Sequence, residues 1–246
     1  MNILKRSKPE KIDIDPQWKN LYRIGGIAAL VAAVLAITEV IIEASGSSLT
    51  SAPSTITEWF TLLQNNRLLG LAVLGIFEST FFILTALMFI SLYPALRKTS
   101  QATIVTAIFL ILTGTIAYLA TNPALALDSL SIQYAAATSD SQKVIFLSAG
   151  QAVLAMGQGT GSTLTFLLAA IAGLLASIVM LRSQAFSKSI AIIGIIANIF
   201  GLPGSALGLV VWTINGLLML VWTVLIGRRL LQIANNNNPL VGGEKQ

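Results

Sequence analysis

Residues 68–92 of this chain, LLGLAVLGIFESTFFILTALMFISL, decide its fold class because they are apolar almost throughout. The stretch contains a single charged side chain, that of Glu78. About twenty helical residues cover the roughly 30 Å hydrocarbon core of a bilayer, and a lone strand could not pair its backbone groups in lipid. The stretch therefore predicts a helix that crosses a membrane.

Apolar stretches of this kind recur at residues 25–42, 102–121, 163–181, 189–202 and 205–226. The 246 residues are 55% hydrophobic and 10% charged, against roughly 25% charged in soluble domains. We therefore expect an all-α polytopic membrane protein, with a six-helix transmembrane bundle over residues 24–230. Residues 1–23 would form a cytoplasmic N-terminal segment, and residues 231–246 a disordered cytoplasmic tail.

The basic residues predict the orientation of this bundle. Thirteen of the fifteen Lys and Arg side chains lie before the first stretch, between the second and third, between the fourth and fifth, or after the sixth. Arg67 and Lys143 are the exceptions. Since cytoplasmic loops of membrane proteins carry the excess of Lys and Arg, we expect both termini to be cytoplasmic. The net charge of +5 is then an orientation signal, and no nucleic-acid partner is expected.

The chain contains neither cysteine nor histidine. This composition excludes disulfides, iron–sulfur clusters, thiol nucleophiles and Cys/His zinc sites within the chain. It also excludes haem held by histidine and acid–base chemistry by histidine. We therefore predict no catalytic residues, no cofactor and no metal site.

Two loops on the outer side contain helix signals. Thr55 followed three residues later by Glu58 is a capping-box signature, which predicts a helix over residues 56–65. Its apolar face would consist of Ile56, Trp59, Phe60 and Leu63. We interpret it as an interfacial helix on the outer leaflet, with a lid over an outward cavity as the alternative.

The longer outer loop, residues 122–162, is expected to have structure of its own, because long structureless loops are uncommon in compact domains. Ser139 and Asp140 are candidate N-caps for a helix that continues to about Met156. We expect two short helices in this loop, packed over the outer mouth of the bundle.

Glu78 is the most informative polar residue. A rise of 1.5 Å per residue along a continuous helix places it about 15 Å deep, near the midplane. An ionised carboxylate there costs about 2.5–3.5 kcal/mol, and no Lys, Arg or His lies within a predicted span to pair with it. We expect Glu78 to be protonated, hydrogen-bonded to another helix, or in contact with a water-filled cavity.

Three further polar residues are candidates for ligand or proton binding. Glu39 lies in the outer third of the first span, where water can reach it. Asn198 and Asn215 lie in the fifth and sixth spans. Hydrogen bonds between helices would explain both amides, and contact with a ligand is the alternative.

Several short runs, taken together, resemble one family. That family comprises prokaryotic multi-pass membrane proteins catalogued as a domain of unknown function (4386 series). The runs are YRIGG at 22–26, EWF at 58–60, LYPALR at 92–97, NPAL at 122–125, QYAAAT at 133–138 and MLRS at 180–183. The resemblance implies six helices and a prokaryotic plasma membrane, and it supplies no catalytic residues.

The leading hypothesis is an integral membrane protein that is not an enzyme. It would bind a small apolar or lipid-like ligand, or a partner protein, through the outer half of the bundle, with Glu78 and Glu39 at that site. One alternative is a proton-coupled small-molecule transporter that uses Glu78, although we expect no broken helix apart from the turn at Pro203 between the fifth and sixth spans. Another is an intramembrane enzyme that uses the two acids. The bilayer is the expected partner, and the oligomeric state stays open.

Overall fold

A computed structural model describes residues 16–49, 53–202 and 208–235 of the chain, and these residues are almost entirely helical. A short 3-10 helix, Pro16–Trp18, precedes the α-helices. The α-helices in this part are α1 Lys19–Leu49, α2 Ile56–Asn65, α3 Arg67–Val73, α4 Ile76–Thr121, α5 Ala124–Ala136, α6 Asp140–Gly157, α7 Thr160–Arg182, α8 Lys188–Gly201 and α9 Leu209–Asn235.

Four helical stretches of the described residues are long and apolar enough to cross a membrane. They are Lys19–Ile41, Ile76–Ala136, Asp140–Arg182 and Val210–Asn235. α8 is a shorter apolar helix. Large apolar side chains are exposed on these helices, including Val34 at 62%, Phe109 at 66% and Val210 at 72%. The all-α class is confirmed for the described residues. Since soluble monomers rarely expose broad apolar patches, the exposed apolar side chains agree with the predicted membrane protein.

α4 contains two of the predicted spans. Its backbone is extended at Ser100, with φ −159° and ψ 94°, so that two helical arms meet there. The hydroxyls of Ser100 and Thr103 lie 2.8 Å apart at the start of the second arm. The two arms pack side by side. The Thr115 hydroxyl on the second arm donates to the Phe82 carbonyl on the first at 3.5 Å.

The bundle is a ring of helices. Going round it, α1 packs against α4, α4 against α7, α7 against α8, α8 against α9, and α9 against α1. Its core contains Phe89, Met180, Trp222 and Ile226, each at most 1% exposed. The Phe89 and Trp222 rings meet edge to face, with centroids 6.3 Å apart. One end of this ring, which we call the basic end, brings together the start of α1, the Ser100 bend, the α7–α8 connection and the end of α9.

A second core lies among α2, α3, α5 and α6. We call these four helices the cap. It contains Ile56, Trp59, Phe60, Leu63, Leu74, Ala124 and Leu127. The Arg67 guanidinium on α3 forms a two-pronged ion pair with Asp128 on α5, at 2.9 and 2.7 Å. The Gln64 amide donates to the Ser131 carbonyl at 3.0 Å. The cap therefore has an apolar core and polar cross-links of its own.

The predicted helix at residues 56–65 is confirmed. Thr55 caps it, and the Glu58 carboxylate accepts from the Thr55 backbone N–H, as a capping box requires. Its apolar face is buried, as predicted. However, that face packs against α5 and α6 in the cap core. The interfacial interpretation is therefore wrong for α2, because protein covers the face that it would have turned to lipid.

The prediction of two helices in the loop at 122–162 is confirmed by α5 and α6. Ser139 is the N-cap of α6, and its hydroxyl accepts from the Gln142 N–H at 3.3 Å.

The last helix is longer than predicted. α9 continues to Asn235, so residues 231–235 do not belong to a disordered tail. Leu230, Ile233 and Ala234 are at most 3% exposed, and this burial explains why the helix persists. The predicted turn at Pro203, residues 1–15 and residues 236–246 lie outside the described residues.

Candidate functional site

A break in the helix places Glu78 differently from the sequence-based prediction. Gly75 has φ +85°, a left-handed conformation that glycine adopts without a side-chain penalty. It separates α3 from α4, and Glu78 lies in the first turn of α4. The prediction of one continuous helix over residues 68–92 is therefore wrong. The depth of about 15 Å assumed that helix, so it no longer follows from the sequence.

The Asn122 side chain stabilises this break through hydrogen bonds. Its amide nitrogen lies 3.2 Å from the Leu74 carbonyl oxygen and 3.3 Å from that of Gly75, and it donates to both. Its amide oxygen accepts from the Ala124 N–H at 3.0 Å. A Cβ on Gly75 would lie 2.6 Å from the Tyr118 hydroxyl. Both backbone conformation and space therefore require glycine at position 75.

Tyr118 bonds to one candidate acid and lies within electrostatic range of a second. The Tyr118 hydroxyl, on the second arm of α4, donates a hydrogen bond to the Glu78 carboxylate. Of the three expectations for Glu78, this contact matches a hydrogen bond to another predicted span, residues 102–121. Glu39 on α1 lies close enough for its charge to act on the same hydroxyl. We call Glu39, Glu78, Tyr118 and Asn122 the carboxylate cluster.

A cavity of about 200 Å³ lies between α1, α4, α7, α8 and α9. Its wall is mainly apolar and includes the rings of Phe81, Phe82, Phe166 and Trp212. The polar side chains at this wall are Asn198, Asn215 and Thr223. An apolar space with a few convergent polar groups is typical of small-molecule sites.

Aromatic rings in tilted and edge-to-face contact connect the cavity to the carboxylate cluster. The Phe82 ring lies 4.9 Å from Tyr118 and 5.7 Å from Phe166, between ring centroids. Phe166 in turn lies 5.2 Å from Trp212. Glu78 and Glu39 are not among the residues that line the cavity. Phe82 stands between the acids and the space that a ligand could occupy.

The two predicted amides meet at the cavity. The Asn215 side chain on α9 donates to the Ala197 carbonyl on α8 at 2.8 Å, which confirms a hydrogen bond between helices. Asn198 instead donates to Gly194 of its own helix at 2.7 Å, so the same prediction is wrong for Asn198. Its buried amide oxygen accepts no hydrogen bond from the described residues. That oxygen faces the bare Cα of Gly173, so the amide serves close packing of α8 on α7.

Sequence reasoning missed Tyr118, Asn122 and the aromatic wall. Asn122 offered a signal, because it directly precedes Pro123, where a helix tends to end. Phe82 and Phe166 offered no such signal. In an apolar run, the sequence pattern does not distinguish an aromatic residue that faces a cavity from one that faces lipid.

These features define a class of protein, an all-helical one with candidate membrane spans and an apolar internal cavity. Comparisons with protein-family models, with curated proteins and with solved structures each find no match to this chain. The family resemblance of the short sequence runs therefore stays a prediction.

Proposed function

We propose that this protein is a multi-pass protein of a prokaryotic plasma membrane that binds a small apolar or lipid-like ligand in the cavity between its helices. One observation carries the proposal, namely the aromatic wall of that cavity. Apolar cavities of about 150 Å³ stay dry and accept benzene-sized molecules, so a space of about 200 Å³ would accept a slightly larger apolar group. The amide of Asn215 and the hydroxyl of Thr223 would orient its polar end.

The proposed topology has six crossings: α1, each arm of α4, α7, α8 and α9. α8 has 14 residues, about 21 Å of helix, and it packs between α7 and α9, which shield much of it from lipid. Arg23, Arg97, Arg182 and Arg228 all lie near the basic end. The excess of basic residues on the cytoplasmic side supports a cytoplasmic location for this end and for both termini.

The carboxylate cluster would form the polar border of the ligand site. Glu78 starts a helix, and charged side chains near a span's end reach the interface at lower cost than those at the midplane. The transporter alternative relied on an isolated acid at the midplane, and the break at Gly75 removes that support. Glu78 and Glu39 would instead contact a polar group of the ligand after Phe82 moves.

Gly216 offers a direct test. It lines the cavity, and a Cβ built on it meets no atom within 4 Å. Gly216→Leu would therefore place a branched side chain at the cavity wall from an uncrowded Cβ, whereas Gly216→Ala adds one methyl group. Molecules released from purified wild-type and variant protein would be identified by mass spectrometry. We expect an apolar compound at near-stoichiometric amount in the wild type and in Gly216→Ala, and its loss in Gly216→Leu. Equal amounts in all three proteins, or none in the wild type, would contradict the proposal.

A further inference from the structure

A second cavity opens at the basic end of the bundle, far from the carboxylate cluster. It has a volume of about 550 Å³ and lies between the α7–α8 connection and the last turns of α9. Gln184, Ser187 and Gln232 supply uncharged polar groups to its wall, and Arg228 and Arg229 supply two guanidinium groups. Five polar side chains on two segments therefore surround one space.

The positive charge of this cavity is not neutralised by the described part of the chain. Within residues 16–49, 53–202 and 208–235, the one ion pair joins Arg67 to Asp128 in the cap. Arg228 makes no hydrogen bond with any of these residues, and its side chain is exposed. A phosphate or carboxylate that enters the cavity would meet guanidinium groups that have no carboxylate partner among the described residues.

Arg229 is held in place for such an anion. Its Nε donates to the Ala185 carbonyl at 2.6 Å, and an Nη donates to the Gln232 side-chain oxygen at 3.5 Å. Ala185 is 5% exposed, so the guanidinium is fixed to a buried part of the α7–α8 connection. The planar fork of arginine matches two oxygens of one phosphate. One guanidinium fixed by hydrogen bonds, and one without a partner in the described part of the chain, thus line the same space.

The first turn of α8 adds to the positive potential. Ser187 caps this helix, and its hydroxyl accepts the Ile190 N–H at 3.4 Å. The preceding N–H groups of the turn and the helix dipole favour an anion at this end. Ser187 and Ile190 both line the cavity, so the helix start belongs to the same site as the arginines.

The remaining wall is apolar and leads outward along α8 and α9. Phe186, Ile190 and Leu225 line the cavity. Further along the same helices, Ile192 and Val221 are 48% and 47% exposed. A free anion would gain nothing from these groups, whereas acyl chains attached to a phosphate could lie against them.

We propose that this cavity binds the phosphate headgroup of an anionic phospholipid, with Arg228 and Arg229 on the phosphate and the acyl chains along α8 and α9. Basic pockets between membrane helices recognise anionic lipid headgroups through this chemistry. The site is independent of the central cavity. A bound lipid would contact both the α7–α8 connection and α9.

The test uses the full-length protein in a neutral detergent, titrated with short-chain phosphatidylglycerol and read by native mass spectrometry. Short-chain phosphatidylcholine and inorganic phosphate serve as competitors. We expect phosphatidylglycerol to bind, phosphatidylcholine to bind at least about tenfold more weakly, and millimolar phosphate to leave the lipid bound. A charged hydrogen bond is typically worth an affinity factor of about ten or more, so Arg228→Gln should weaken phosphatidylglycerol binding by at least about tenfold.

Arg182→Gln is the matched control, because it removes the same charge from an exposed position at the same end without lining the cavity. It should bind within about twofold of the wild type, since charge alone at this end would act on both variants alike. Arg228→Lys keeps the charge without the fork and should bind between wild type and Arg228→Gln.

Three results would overturn the proposal. Equal losses in Arg228→Gln and Arg182→Gln would show attraction by general charge. Equal affinity for the two lipids would show no headgroup site, and displacement of the lipid by phosphate at similar concentration would make a free anion the occupant. The lipid comparison and the phosphate competition need only the wild type, so they decide the question even if a variant fails to fold.

Discussion

The bundle and the cap stabilise their helices by different means. In the cap, Thr55, Asn66 and Ser139 cap helices through their side chains, and an ion pair joins α3 to α5. In the bundle, α4 and α7 start at Gly75 and Gly159 without side-chain caps, and α8 has its Ser187 cap at the basic end. Helices of the bundle meet at small residues such as Gly173 and Gly194. Caps and ion pairs are useful where water competes for backbone groups, whereas close packing at small residues is typical of helices in lipid. The cap should therefore respond to polar substitutions and pH, and the bundle to added volume.

The largest expected effect is loss of the cap core. Phe60 is fully buried between α2 and the other cap helices, and Phe→Ala in a core costs roughly 3–5 kcal/mol. Phe60→Ala should raise hydrogen exchange in α2, α5 and α6 while α7 and α9 keep their protection. Phe109→Ala is the control, since Phe109 is 66% exposed on α4. A uniform rise over cap and bundle would contradict two separate cores.

Added side-chain volume in the bundle should have the second-largest effect on stability. A Cβ on Gly194 would overlap the Ser177 hydroxyl and the Trp222 indole nitrogen, which approach it from α7 and α9. Overpacking of this kind costs about 1–3 kcal/mol, so Gly194→Ala should lower the thermal unfolding midpoint in detergent. In Gly216→Ala, the methyl group meets open space. That variant should be neutral or slightly more stable, because alanine is the better helix former. The same loss in both would rule out packing as the cause.

The ion pair of the cap should contribute less to stability than the packing at Phe60 or Gly194. Asp128 is nearly buried, but the Arg67 side chain is 64% exposed, and exposed pairs are worth about 0.2–1 kcal/mol. We expect Asp128→Asn to destabilise the cap by about 1 kcal/mol because the two-pronged geometry is lost. This loss of stability should appear as faster proteolysis of the α2–α3 and α5–α6 connections. Arg182→Gln, which removes an exposed charge outside the cap, should leave the cleavage rate unchanged.

The smallest effect is a pH dependence of the capping box. Hydrogen bonds from the Ser54 backbone and hydroxyl and from the Thr55 backbone lower the pKa of Glu58 below its ordinary value of 4.5. Since the folded state favours the charged form, this contribution is complete above 4.5 and is lost as the pH falls through the lowered pKa. The α2 amides should therefore exchange faster at pH 3 than at pH 6, after correction for intrinsic rates. Glu58→Gln should abolish that difference; its persistence would show that another group titrates.

Local patterns were sufficient for much of the fold. Apolar runs located the helices of the bundle, and the signals at Thr55 and Ser139 located the starts of two cap helices, because caps depend on residues close in sequence. The environment of α2 could not be predicted, since one amphipathic pattern suits both a lipid surface and a protein core.

The candidate site depended on contacts between distant residues. The conformation of Gly75 is supported by Asn122, and Glu78 is bonded by Tyr118, each from the opposite arm of α4. A glycine in an apolar run also fits a straight helix, so a break at Gly75 could not be predicted from the local pattern. Asn198 and Asn215 both line the cavity, but only the packing of α8 on α9 brings them together.

The central claim, that the bundle lies in lipid between a cap in outer water and a basic end in the cytosol, can be tested by labelling. The chain has no cysteine, so single substitutions can be read without background. Ser141 in the cap, Ser189 at the basic end and Phe109 on the bundle surface are all exposed. Each would be changed to cysteine and treated with a membrane-impermeant maleimide. Ser141→Cys should react on intact cells, Ser189→Cys only after permeabilisation, and Phe109→Cys in neither case. Labelling of Ser189→Cys on intact cells, or of Phe109→Cys as fast as Ser141→Cys, would contradict this arrangement.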